Sequence, residues 1–216
     1  MKHHTKSERF FTKEEREKIK KTTVDAELHT TGEIAVVMVD HSSQYIEAEV
    51  IGGIFLGSLI SLVLAVVFFH SSIWAYVPLS FVLYFPSHVL FRKVPVLKVA
   101  FVGKKKMERA VKERAIRSFY EKGLYRTKDH TGVIFFLSLL ERKVWVLADK
   151  GIHKKITQPV LNRFARMVST GVREERACDA LCEAIREIGG LLAKHYPGTA
   201  GGIDELTDEV IYDSGD

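Results

Sequence analysis

Residues 50–91 read VIGGIFLGSLISLVLAVVFFHSSIWAYVPLSFVLYFPSHVLF, 42 residues without one Asp, Glu, Lys or Arg. A single membrane span needs about 20 apolar residues, so the stretch is too long for one crossing and fits two. Its most polar point, His70-Ser71-Ser72, marks the turn. Span one then runs over about 50–69 and span two over about 73–91, within a hairpin region of 46–95. Gly52, Gly53, Gly57, Ser58 and Ser61 give span one a small-residue face suited to close packing on span two. The spacing of Gly53 and Gly57 is that of a helix-dimer motif, and packing inside the hairpin is the simpler use of it. Trp74 and Tyr76 fall near the tip, where amphipathic rings favour the interface. Pro78 and Pro86 are expected to kink span two. A buried helix pair in a soluble protein would show a polar face, and this stretch has none.

Outward from the hairpin the composition changes. All 59 charges of the 216-residue chain, 32 basic and 27 acidic, lie outside it. A mean hydropathy of +0.01 therefore averages two unlike parts. Met1 to Lys21 is highly charged with no apolar run, so no secretory signal peptide is expected there. Two Cys exclude a disulfide-stapled module. Arg92, Lys93 and Lys98 follow span two, with Lys104, Lys105 and Lys106 just beyond, while the tip carries no basic residue. Basic flanks stay cytoplasmic, so both termini and the attached domain are expected on that side, in an integral membrane protein with two spans.

The flanks read as one α/β domain in two pieces, residues 1–41 and 104–212. Thr12 to Glu15 has capping-box spacing, opening a helix from Lys13 to about His29. Ile34–Val39 is a β-branched run and reads as a buried strand. Lys104–Lys122 carries Met107, Ala110, Val111, Ala115 and Phe119 on one helical face, with Gly123 as its cap. Val133–Leu139 and Lys143–Ala148 read as a strand hairpin turning around Glu141-Arg142. Residues 156–168 and 172–194 read as amphipathic helices. The order predicts a small sheet sandwiched by helices, α/β/α, interrupted by the transmembrane hairpin.

Four motifs in this order carry a family resemblance: Gly32-Glu33-Ile34; Arg142 through Gly151 and Ile152; Ala184-Ile185 with Gly189, Leu192, His195 and Pro197; and Asp204-Glu205-Leu206-x-Asp208-Glu209-Val210. Together they resemble a TPM domain over nearly everything outside residues 50–102. The resemblance implies an α/β/α sandwich. It also implies either acid phosphatase activity with divalent-cation binding, or a role in the assembly or repair of membrane complexes. Many members carry a signal peptide and an exported domain, whereas here two spans interrupt the domain after its first strand.

The candidate chemistry lies on acidic residues at strand ends. Asp149 follows a strand, and Gly151 just after it permits an unusual turn. Asp129 precedes the strand at Val133, and Glu33 the strand at Ile34. Clustered carboxylates of this kind suit a hard cation, calcium or magnesium; alternatively, Asp149 caps the next helix and Glu33 is solvated. A phosphatase also needs cations for the phosphoryl oxygens, and Arg142 and Arg126 are the candidates. No phosphate loop, HExxH, GxSxG or calcium-loop motif is present. Cys178 and Cys182 share a helix face and read as core rather than a zinc site. His3 and His4 read as a frayed terminus, and His88 as an interfacial residue.

Residues 92–126 hold twelve Lys or Arg against three Glu, while residues 204–216 hold six acidic residues and no basic one. A basic segment directly after a span points to the lipid bilayer and its anionic headgroups. Nucleic acid is the competing reading of a pI of 9.1, and no binding motif accompanies it. The sequence thus supports a membrane protein presenting its domain at the cytoplasmic surface, in an accessory or interaction role with another membrane protein. The alternative is a cation-dependent phosphatase.

Overall fold

The structure, a computed structural model, describes residues 6–70, 72–127, 129–198 and 209–213. The turn residue Ser71, the His3-His4 pair and most of the acidic motif at 204–208 lie outside the described residues. The chain forms two compact units, Met1–Ser43 with Glu108–Asp216, and Gln44–Met107.

In the first unit, α1 (Lys13–Glu27) opens on a capping box. The Thr12 hydroxyl accepts from Glu15 N at 3.2 Å, and Thr12 N donates to the Glu15 carboxylate at 2.8 Å, so two otherwise orphaned amides are paired. Strand β1 (Glu33–Val39) follows. In the second unit come α2 (Ile46–Phe68), α3 (Ile73–Lys93) and α4 (Pro95–Phe101). The chain returns to the first unit through α5 (Lys104–Glu121), β2 (Gly132–Ser138), β3 (Lys143–Ala148), the single turn α6 (Lys150–His153), α7 (Gln158–Arg173), α8 (Ala177–His195) and β4 (Ile211–Asp213). Gly123 sits at φ 77°, the left-handed conformation that stops α5.

The sheet runs β3-β2-β1-β4. β1 is parallel to β2 and to β4, and β2 pairs antiparallel with β3. Because helices cover both faces, β1 and β2 read as unbroken apolar runs rather than alternating ones. Ile34, Val36, Met38, Val133, Phe135 and Leu137 share one core with Ile19, Leu161, Phe164, Leu181 and Ile185 of α1, α7 and α8. Ala35, Val37, Val39, Ile134 and Phe136 share the other with Val111, Ala115 and Phe119 of α5. This is the expected α/β/α sandwich, with a fourth strand added. β4 is three residues long, and its Asp213 makes an ion pair with the buried Arg114. Cys178 and Cys182 are free thiols buried in the first core. Burial, and then the neighbouring Cys182, push the Cys178 thiol up to about 12.

In the second unit the small residues of α2 meet α3 directly. A Cβ built on Gly57 would lie 3.0 Å from Tyr84 N, and one on Gly53 would lie 3.1 Å from His88 Cα. Ser58 Oγ lies 2.5 Å from Tyr76 Oη, and the Ser61 hydroxyl donates to the Tyr76 carbonyl at 2.9 Å. The Gly/Ser face therefore serves the hairpin itself. Pro78 and Pro86 lie inside a continuous α3. The unit extends beyond residue 95 because α4 packs on α2, with Phe101 against Phe55 and Phe91 at ring-centroid distances of 5.8 and 5.2 Å.

Candidate functional site

The entry ends of β1 and β2 and the exit end of β3 lie side by side. Glu33 is in register with Gly132, Val133 with Ala148, and Asp149 N donates to Gly132 O at 2.9 Å. Glu33 and Asp149 thus stand at one edge of the sheet, as the antiparallel β2–β3 pair requires. Asp129 is on the exposed loop that leads into β2 at the same edge.

Asp149 is mostly buried and caps α6, accepting from Lys150 N at 2.6 Å. Its second oxygen lies 3.1 Å from His130 Nδ1. His130 is held at φ 54°, a conformation uncommon outside glycine that persists where surrounding structure enforces it. Its amide donates to Thr127 O at 3.0 Å, and the Thr127 hydroxyl accepts from Thr131 N at 3.0 Å. The imidazole is about half exposed, so a carboxylate orients Nδ1 while the rest of the ring faces outward. A His–Asp pair of this form can fix a tautomer and move a proton. His130 was legible only as the neighbour of Asp129 in a loop before a strand, and sequence reasoning passed over it.

The edge is closed by the chain after α8. Thr30 Oγ1 donates to Tyr196 O at 2.7 Å, Gly198 N donates to His29 O at 3.1 Å, and the Tyr196 hydroxyl donates to Gly151 O at 2.7 Å. Gly151 does not take the unusual turn expected of it, since its φ is not positive. Its requirement is steric, because a Cβ there would stand 2.4 Å from His130 O and 2.6 Å from Asp129 O. Gly151→Ala is therefore expected to push the 127–131 loop off the sheet edge and to destabilise the protein by roughly 1–3 kcal/mol. Gly190→Ala is the control, on an exposed helix position with nothing within 4 Å, and should stabilise by roughly 0.5–1 kcal/mol. Thermal melts of the purified full chain distinguish them. Equal melting temperatures for the two variants would remove the steric argument.

The remaining candidates are spread out. Arg142, at φ 51° in the β2–β3 turn, is at the opposite end of β3 from Asp149. Six strand residues separate them, about 20 Å, which takes Arg142 away from any phosphate held at Asp149. Arg126 is exposed before the 127–131 loop and donates from Nε to Tyr125 Oη at 2.8 Å. Among the described residues no three His, Cys, Asp or Glu side chains form a metal-holding group. Glu33, Asp129 and Asp149 share an edge without closing into one. Of the basic residues around the hairpin, Lys98 is a correction: it is buried, with Nζ 2.5 Å from Glu49 Oε1 and 3.1 Å from Gln44 O. It does not reach outward toward lipid, because a carboxylate in its own unit holds it. Lys106 pairs with Glu47 at 2.9 Å, and Arg92, Lys93, Lys104 and Lys105 are exposed.

The architecture is that of an α/β/α sandwich domain whose β1–α5 connection carries two apolar helices. Residues 96–191 match the family model described as TPM domain. No curated protein matches it. The fold is similar to the NMR structure of BA42 from the psychrophilic bacterium Bizionia argentinensis. That similarity has a TM-score of 0.59 at 18% identity and covers 94% of this chain and 96% of that one.

Proposed function

We propose that the chain is a two-span membrane protein that holds its TPM domain at the cytoplasmic surface, where it serves another membrane protein in assembly or maintenance. The observation that carries this reading is which side of the hairpin is apolar. α2 and α3 are long and apolar enough to cross a membrane, and they spend their small residues on each other. Trp74, Phe81 and Phe85 point outward at 88%, 71% and 67% exposure. In water such a surface is a liability, whereas in hydrocarbon it is the expected one. The cations after α3 and the uncharged tip favour a cytoplasmic domain.

A second reading, a divalent-cation-dependent phosphatase, is favoured by the oriented His130–Asp149 pair. Its residues would be Asp149 with Glu33 or Asp129 toward calcium or magnesium, His130 moving a proton, and Arg126 toward phosphate. Two measurements separate the readings. Under the first, the full chain stays in the membrane pellet through alkaline carbonate washing, and the purified protein releases phosphate from a simple phosphomonoester no faster than buffer. Magnesium-dependent release that is lost in both His130→Asn and Asp149→Asn would replace the accessory role with the enzyme. Millimolar calcium or magnesium should raise the melting temperature only if the edge binds the ion, and Asp149→Asn should then abolish the rise.

A further inference from the structure

α4 is built inside out. It reads PVLKVAF, and its single charged residue is the one that is buried, while Val96 and Leu97 face outward. Lys98 is 8% exposed, whereas Val96 is 63% and Leu97 36% exposed, and Phe101, though packed on Phe55 and Phe91, keeps 36%. A short helix on a water-facing surface does the reverse, because a buried ammonium must be paired and exposed aliphatics gain nothing from solvent. Here the ammonium is paired, by Glu49 from the first turn of α2 and by the Gln44 carbonyl. The exposed apolar side is explained if its surroundings are not water.

Charge brackets this helix on both sides. Arg92 and Lys93 end α3, and Lys104 and Lys105 begin α5. All four are exposed, and among the described residues none has an ion pair, unlike Lys98 and Lys106, whose carboxylates come from the same unit. A helix with an outward apolar side, one residue after an apolar helix long enough to span and flanked by spare cations, fits the boundary between acyl chains and headgroups. There the apolar side enters the acyl region, while the long Lys and Arg stems carry their charges back to the phosphate level.

We propose that α4 is an interfacial helix and that Arg92, Lys93, Lys104 and Lys105 form a collar that binds the phosphates of anionic glycerophospholipids. The buried Lys98–Glu49 pair is its fastening to α2. This rests on the two-span reading and adds to it a lipid preference. The occupant is lipid rather than a protein groove because α4 follows α3 after the single residue Val94, and because four unpaired cations call for a surface dense in negative charge.

The test uses the full chain with Val96→Cys carrying an environment-sensitive fluorophore, reconstituted in phosphatidylcholine vesicles. A minor fraction of lipid bears a shallow nitroxide quencher, either on phosphatidylglycerol or on phosphatidylcholine. Phosphatidylglycerol should quench several-fold more than phosphatidylcholine, with the excess shrinking as salt is raised. Arg92→Gln, Lys93→Gln, Lys104→Gln and Lys105→Gln together should bring the ratio to one while leaving quenching by both lipids in place. Equal quenching in the parent protein, or an excess that survives the four substitutions, would overturn the lipid site. Absence of quenching by either lipid would place α4 in water or under a protein and overturn the interfacial helix. Carbonate extraction of the same protein is scored separately, since release from the pellet would overturn the spans themselves.

Discussion

A cysteine placed at Ser72, at the start of α3, should be modified nearly completely by a membrane-impermeant thiol reagent added to intact cells. A cysteine placed at Lys154 should be modified only after the cells are opened. The expectation follows from the tip carrying no basic residue while Arg92, Lys93, Lys104 and Lys105 gather at the other end. The native thiols provide a silent background. Cys178 and Cys182 are both buried, and a Cys178 thiol pushed up to about 12 presents almost no thiolate near neutral pH. That shift also has a stability sign. Above its ordinary value of 9.0 the unfolded Cys178 thiol loses its proton while the folded one keeps it until about 12. The contribution is therefore present below pH 9 and declines between the two values. Modification at Lys154→Cys in intact cells would invert the topology, and modification at both positions would mean that residues 46–93 do not cross at all.

Replacing residues 44–103 with a short Gly/Ser linker should turn the protein from one that needs detergent into a soluble domain that melts cooperatively. Both cores of the sandwich are built from residues outside this segment. What remains is β1, linker, α5 and β2, the single-helix crossover that joins parallel strands in ordinary α/β proteins. The cut is placed after Ser43 so that Ser42 is kept. Ser42 N donates to Glu141 Oε1 at 3.0 Å, its hydroxyl donates to Ser138 Oγ at 2.8 Å, and Ser138 in turn hydrogen-bonds the buried Glu141 carboxylate. Losing Ser42 would leave that carboxylate short of a donor, at a cost of roughly 1–3 kcal/mol. A shorter closing loop costs little, because closure entropy changes only with the logarithm of length. An aggregated or non-cooperative product would show that residues 44–103 supply part of the domain's stability.

Much of this fold was legible because its elements are locally consistent. The capping box at Thr12, the doubly buried runs at Ile34 and Val133, and the wide apolar faces of α7 and α8 each point to one structure. β4 was not legible, since three residues, Ile211 to Asp213, have no period to read and owe their strand to pairing with β1. α4 was missed for the opposite reason: its pattern is inverted, and with Lys98 counted as an outward charge the segment passed for a basic flank. At the sheet edge, strand ends indicated Asp149 and Glu33. The hydrogen bond from His130 depends on a left-handed residue in a loop, which no spacing rule encodes. Arg142 was misplaced because its turn lies at the far end of a hairpin whose near end is the edge in question.

The position of the two apolar helices between β1 and β2 also sets an order of events in time. β1 has no strand to pair with until β2 has been made, roughly a hundred residues later. Both apolar helices, α2 and α3, leave the ribosome within that interval. If these helices insert as proposed, insertion precedes closure of the sheet during synthesis, and β1, apolar on both faces, waits unpaired meanwhile. A stalled chain ending before residue 132 is expected to be membrane-bound yet protease-sensitive throughout residues 13–39, and a chain released at full length to be protected there. On the two-span reading proposed above, the bilayer is engaged first, and the domain is completed afterwards on chain that is already anchored.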